Sequence, residues 1–451
     1  MAMQSIPSFG SPRVQVKTLL SMILASTKTA MQEYENAGFS IPAPDSPEAH
    51  PSDFASNLVD LQKSIIILEG ACCKLVQTLA PPVHMLRNHL MTPAEQPCLW
   101  VAVESKIPDI LTQSPNGMHV NEIAKIAPKF LEPQKLSHII HFLASRGYFR
   151  EVSYNVFANN HLSLTLLSSN PLLSLLYISM KIFSKGFGSL PDALTDLDYG
   201  NSKDPDKAPF IFAVHDNFTG GDFFDWLQQH PIDKEHFAAG MVGLNNVSTP
   251  GLHCGVWNEL PEGASICDVG SGVGGFSICL ARAHPSFKVT LVDRREVIDQ
   301  AERFWRSEYP QAVQDQRAAF VSGDFLKDIP GGHDVYFARH IIHDWPDSKA
   351  IVILGNIRRA MRLDSRLFIE EHILPHSNNA KDTRTTDLTE ETFLTGSRRL
   401  YHLDMLMLSM MNAKERAIHE FDDLGSKVGL KIIKRWDLLE TSLLEYAIVS
   451  V

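Results

Sequence analysis

The residues best suited to chemistry lie in the run Phe337-Ala-Arg339-His340-Ile-Ile-His343-Asp344-Trp345-Pro-Asp347. An apolar stretch resembling a strand ends here, and a helical pattern opens at Asp347. Ligands of open parallel sheets sit outside the carboxyl ends of the strands, so both histidines are candidates. A lone histidine is more often structural than catalytic. Acids at neighbouring strand ends change that reading: Glu370-Glu371 closes a further strand, and Lys414-Glu415-Arg416 follows a helical run from Leu403 to Met411. A histidine whose second ring nitrogen donates to a carboxylate is held in one tautomer and made more basic. Such a group can take the proton from a hydroxyl of pKa about 10.

A second constellation precedes it. Ile266-Cys-Asp-Val-Gly270-Ser-Gly272-Val-Gly274-Gly275 is a strand running into a glycine loop and then a helix. Glycines let the backbone turn tightly and approach a ligand, and the helix N-terminus favours a negative group. The loop also satisfies G-x-G-x-x-G, so nicotinamide and flavin enzymes enter the comparison. Lys288-Val-Thr-Leu-Val-Asp293 ends a second strand in a carboxylate placed for ribose hydroxyls, which does not separate these cofactors. Val321-Ser-Gly-Asp324-Phe325 ends a third. There a carboxylate can accept from an adenine amino group while Phe325 covers the ring; the plainer reading is that Asp324 caps a turn.

These residues need elements to hold them. Strand patterns occur at Ser265–Val269, Lys288–Asp293, Ala319–Ser322, Asp334–Arg339, Arg366–Glu371, Lys431–Arg435 and Leu443–Val449, with helical patterns at 275–283, 296–308 and 347–361. The expected fold class is α/β, a doubly wound, Rossmann-like sheet over 251–451. The link between the last two strands is too short for a parallel crossover, so the last strand is expected to be antiparallel. Ahead of the sheet, 171–250 reads as a helical linker and substrate wall, 96–170 as three helices and a hairpin (a winged helix), and 1–95 as a helical extension. Helices are expected over Val14–Glu35, from about Phe54 to Leu79, and over Trp100–Thr112.

Composition narrows the function classes. With 44% hydrophobic and 21% charged residues the chain reads as a soluble globular protein, and its net charge of −11 argues against nucleic acid or an anionic membrane as partner. In the winged helix, acids balance bases, so packing or dimerisation is the reading preferred over DNA binding. The six cysteines lack metal-ligand or disulfide spacing, no secretory leader is visible, and the longest apolar stretch is broken by Asn170 and Pro171. A reduced, cytoplasmic enzyme is expected.

Taken together, the motifs resemble the plant-type small-molecule O-methyltransferases of the caffeate and flavonoid class, and more closely their long fungal relatives of secondary metabolism. DVGSGVGG resembles the family's D-V-G-G-G-x-G loop, HDWPD its H-D-W-S-D, GDF its adenine clamp, EEHILP its E-x-I-L-P, and AKERAIHEF its G-K-E-R-T-x-x-E-F. The resemblance implies S-adenosylmethionine as cofactor and methyl transfer to a hydroxyl, phenolic acceptors being typical of the class. It implies His343 as catalytic base, with Glu371 and Glu415 orienting it. Gly270, Gly272, Gly274, Asp293, Asp324, Phe325, Arg339 and Asn245 would bind the cofactor. Phe237, Met241, Leu244, Asp344, Leu406, Met407 and Met410 would face a small-molecule acceptor. The winged helix would close a homodimer.

Three departures stand out. Asp293-Arg-Arg replaces the family's Asp-Leu-Pro, Arg339 stands where a lysine is usual, and 376–399 is long; this last stretch reads as a flexible insertion. No metal is expected: the metal-dependent catechol class uses clustered acids and an asparagine, and the spacing of His340 and His343 alone is weak support for ligation. The alternative is a relative that keeps the cofactor as a fixed charge and catalyses a pericyclic or dehydration step, an idea kept alive by cationic Arg339.

Overall fold

A computed structural model describes residues 11–55, 58–247, 250–375 and 398–449. Two compact units divide between Met180 and Lys181, with Arg399 onward belonging to the second.

The first unit opens with a helical hairpin, Pro12–Asn36 against Val59–Leu79. The second helix begins later than the pattern suggested because Pro51–Phe54 forms a separate 3-10 turn. His50 caps that turn: its Nδ1 accepts from Ser52 N–H, and Asp53 accepts from the His50 N–H. A short helix, Pro82–Leu90, follows with no buried residue. The expected helix over Trp100–Thr112 is instead two, Glu95–Glu104 and Ile107–Leu111, broken at Lys106 with φ 54. Pro108 explains the break, because a proline within a continuous helix removes a hydrogen bond and clashes with the turn before it. Helices Val120–Ile126 and Pro133–Ser145 pack with these around Leu111, Ile123, Ile140, Leu143 and Phe157, all fully buried. β2 (Arg150–Ser153) and β3 (Val156–Ala158) form the expected hairpin, and β1 (Met118–His119), which the sequence did not suggest, pairs with β3.

The second unit is built on a sheet. Its strands are β4 (Ser265–Val269), β5 (Lys288–Asp293), β6 (Ala318–Ser322), β7 (Val335–Arg339), β8 (Arg366–Glu371), β9 (Leu430–Asp437) and β10 (Ser442–Ile448). Among the described residues their order is β6-β5-β4-β7-β8-β10-β9. β4 to β8 are parallel, and β10 runs antiparallel to both β8 and β9, as the short link requires. This is the doubly wound α/β sheet. Central strands buried on both faces need continuous apolar runs, and Val335, Tyr336, Phe337 and Ala338 are fully buried. The chain leaves β4 toward β5 and β6, then returns across it to β7. Its reversal opens a crevice at the carboxyl ends of β4 and β7. The glycine loop and the histidine segment both begin there. No helix among the described residues is long and apolar enough to cross a membrane.

Candidate active site

The glycine loop holds three residues in the left-handed region, Gly270, Gly272 and Gly274, at φ 72, 56 and 77. A side chain on Gly274 would run into Leu291 and Trp305, and one on Gly270 into Ile341. At Gly272 the space is open, so the backbone there can be approached by a ligand. Asp293 ties the second strand to this loop: its Oδ2 accepts from Gly272 N–H at 2.8 Å and its Oδ1 from Arg294 N–H at 2.7 Å. Beneath, buried Asp268 accepts from Ser277 Oγ at 2.6 Å, and burial pushes its pKa up to about 6.

Beyond the ends of β5 and β6 lies a cavity of about 770 Å³. Asp324 lines it, with Asp222, Asp225, Arg294, Trp345 and Lys349. Asp324 also caps its own turn, accepting from Leu326 N–H at 3.0 Å. Arg294 reaches Asp225 at 3.0 Å beside this cavity. The sequence reading assigned nothing to Asp222, Asp225 or Trp345. The signals nearby were the Asp293-Arg-Arg departure and, for Trp345, its place in HDWPD. Phe325 packs edge-on to Trp345, which stacks near Phe224, itself against Phe237. One aromatic seam therefore joins the cavity to the helix Pro231–Val247.

His343 lies in a 3-10 turn, Ile342–Asp344, straight after β7. The chain leaving β8 pairs through Ile373 with Arg416, which brings Glu371 and Glu415 to the same turn. Their tasks differ. Glu415 Oε1 is 2.7 Å from His343 Nδ1 and fixes the ring. Glu371 Oε1 accepts from the backbone N–H groups of Ile341, Ile342 and His343, while its Oε2 stays 3.7 Å from the ring. Glu371 thus holds mainly the turn. Fully buried Arg416 clamps the other side, donating to the carbonyls of Ile342 and Trp345, both at 2.7 Å, and to Asp347. The sequence reading passed over Arg416, although it stands beside Glu415.

Electrostatics follow from this crowding. Burial opposes charge on His343, but Glu371, Glu415 and Asp344 outweigh it and hold the imidazole well above its ordinary pKa. Burial pushes Asp344 up to about 7, and its carboxylate lies 3.5 Å from His343 Nε2. His340 is shifted the other way, well below the ordinary value, first by burial and then by Arg339, His372 and His343.

The remaining expected residues are more scattered. Arg339 is drawn to buried Glu370 at 3.1 Å and lies over the Phe276 ring. Phe237 and Met241 are half-buried, whereas Leu244 is exposed. Met407 and Met410 are buried and Leu406 half-buried, with the Met410 sulfur beside Gly186 in the packed interior. The side chain of Asn245 and the stretch 376–397 lie outside the described residues.

Fold and site together define a class of enzyme that binds an adenosine-bearing cofactor beside a carboxylate-backed histidine. Comparison with known proteins makes that class specific. The family described as "O-methyltransferase domain" matches residues 213–431. The 3-O-methyltransferase 2 of Phanerochaete chrysosporium is 35% identical over 438 residues, covering 95% of this chain and 96% of its own. Among solved structures, the mitomycin 7-O-methyltransferase MmcR superposes with a TM-score of 0.65 at 23% identity, over 81% of this chain and 97% of that one. A pericyclic reaction enzyme gives 0.70 at 20% identity, over 86% and 95%; both likenesses speak to fold. The chain belongs to the O-methyltransferase family, whose members move a methyl group from S-adenosylmethionine to a hydroxyl.

Proposed function

We propose that this O-methyltransferase acts on a phenolic hydroxyl of a small secondary metabolite, with His343 as the general base. One observation carries the reading: the 2.7 Å contact between His343 Nδ1 and buried Glu415. It leaves Nε2 as the nitrogen that can accept a proton. His343 takes the hydroxyl proton there, Glu415 stabilises the imidazolium, and Glu371 with Arg416 keeps the turn in place. Abstraction needs a basic imidazole when the acceptor is a phenol of pKa about 10.

The residues fit the cofactor. The open space at Gly272 supports its approach there, the Asp293 carboxylate at the end of β5 supports a ribose contact, and Asp324 in the cavity lining supports an adenine contact beside Phe325. S-adenosylmethionine supplies an electrophilic methyl on a cationic sulfur. Holding the deprotonated oxygen in line with that methyl is where much of the acceleration arises.

The non-methylating alternative drew on Arg339 as a cation beside the pocket. The Glu370 carboxylate at 3.1 Å weighs against it by offsetting that charge. A homodimer formed through the first unit is supported by apolar side chains left exposed on its first three α-helices, among them Leu20, Leu24, Leu79, Val83, Leu86 and Leu90. Six free cysteines fit a reducing, cytoplasmic setting.

The test uses the methyl-labelled cofactor and a panel of phenols with wild type and His343→Ala. Wild type labels an acceptor oxygen, and the variant loses about 10²–10⁴-fold in turnover while still binding cofactor. Tight cofactor binding with no acceptor ever labelled would instead turn attention to rearranged products.

A further inference from the structure

His340 has no part in the proposed reaction, yet it is held with unusual care. Its backbone lies in the left-handed region, φ 53, which is uncommon for any residue but glycine. Its ring is sandwiched between His372, with centroids 5.1 Å apart, and His343, with centroids 5.4 Å apart. His372 is itself anchored through Nδ1 to the Glu440 carbonyl at 2.9 Å.

Three buried polar atoms around these rings lack a hydrogen-bond partner: His340 Nδ1, Glu371 Oε2 and Glu415 Oε2. Glu371 Oε2 is 3.8 Å from His340 Nδ1 and 3.7 Å from His343 Nδ1, and the Glu371 side chain is completely buried. One donor atom from each of His340, His343 and Glu371 falls within 4.8 Å of the others. Unpaired buried polar atoms are costly and call for a reason.

We propose that His340, His343 and Glu371 form a binding site for one transition-metal dication of the zinc class, and that its occupation inhibits the enzyme. The inhibition half rests on His343 being the base; the binding half does not.

The geometry suits such an ion. Donors on a tetrahedral zinc at about 2.0–2.1 Å stand roughly 3.4 Å apart, so two of the edges need to contract by only a few tenths of an ångström. Two imidazoles sharing that ion would have centroids about 5.3 Å apart, close to the 5.4 Å between His340 and His343. Imidazole and carboxylate are the ligand types that zinc accepts. The charge is also suitable: a dication balances Glu371 and Glu415, two buried carboxylates facing one imidazole. His340 is partly exposed along its side chain, which offers the ion an approach. A metal on His343 takes the lone pair or displaces the proton on which the Glu415 contact depends, so the hydroxyl can no longer be deprotonated.

The experiment uses the chelator-stripped full chain titrated with Co²⁺ as a spectroscopic probe and then with Zn²⁺. Wild type should give the visible absorption of a four-coordinate cobalt site at one ion per chain, displaced by zinc. His340→Asn, which tolerates the left-handed backbone but removes the imidazole, should weaken binding at least about tenfold. Equal affinity in the variant overturns the site. Should the variant fail to fold, zinc-edge absorption of the loaded wild type decides: two imidazole shells support the site, and one or none refutes it. Methyl transfer is then measured with and without zinc. If the site holds but zinc leaves turnover intact, the role of His343 as base is what fails.

Discussion

Glu415→Gln isolates charge from shape at the centre of this mechanism. The amide is nearly isosteric and can still present an oxygen to His343 Nδ1, now 2.7 Å from the carboxylate. What is lost is the negative charge. Hydrogen bonds to charged groups contribute about 1.5–3 kcal/mol against about 1 for neutral ones. Turnover should therefore fall by about two- to thirtyfold. The KM for cofactor should hold, because the cavity beside Asp324 is lined by other residues. The pH profile gives an independent reading. Glu371, Glu415 and Asp344 together hold the His343 pKa well above its ordinary value despite burial, so wild-type activity should rise with pH through a midpoint above about 6.5. Removing one of those carboxylates should move the midpoint down. The same shift has a sign in stability: a group whose folded pKa is raised stabilises the fold fully below its unfolded value and loses that contribution as pH rises through the folded one. The melting temperature of the wild type should thus decline over that window, and the variant should show a smaller decline that is complete at a lower pH. A variant with wild-type turnover, or with a midpoint moved upward, would refute the arrangement.

Other substitutions probe the supporting parts. Arg416→Lys keeps a cation for Asp347 but cannot reach the carbonyls of both Ile342 and Trp345; kcat should drop about tenfold at near-constant KM, beside a Tm loss of a few degrees, as read by steady-state kinetics and calorimetry. Gly274→Ala would drive a methyl into Leu291 and Trp305 on a left-handed backbone, costing about 2–4 kcal/mol in denaturant titrations. Gly272→Ala meets open space, so its stability cost should be only about 1–2 kcal/mol, while cofactor affinity in calorimetric titration suffers more. Arg294→Ala breaks the Asp225 pair and should raise the KM for cofactor without changing the pH midpoint of turnover.

The doubly wound sheet was legible because its signals are local. Strands such as Ile266–Val269 and Val335–Ala338 are apolar runs that end in glycine or charged residues, and Gly275–Ala283 follows the loop at helical spacing. The antiparallel last strand followed from chain length alone, since a handful of residues cannot cross over a sheet. The motif order pointed to the family, and the 35% identical relative agrees with it. Where local signals were misleading, a neighbouring constraint explains it: Pro108 split one helix, and β1 is too short for a two-residue period to show.

Tertiary structure decided how the parts share their work. Glu371 and Glu415 are 44 positions apart in the numbering, and the Ile373–Arg416 pairing brings them to one turn. The sequence treated them as equivalent; the fold gives Glu415 the ring and Glu371 the backbone. Arg339 looked like a free cation until Glu370 came beside it. Arg416 and Trp345 stand inside motifs and Asp225 in none, but no local pattern exposes their roles, which lie in carbonyls, charges and rings far along the chain. Residue types and spacing determine which chemistry is available here, whereas distances of a few ångströms, set by packing between remote segments, determine which group performs it. Hydrogen bonds and charge interactions weaken steeply over those distances, and no local pattern encodes them.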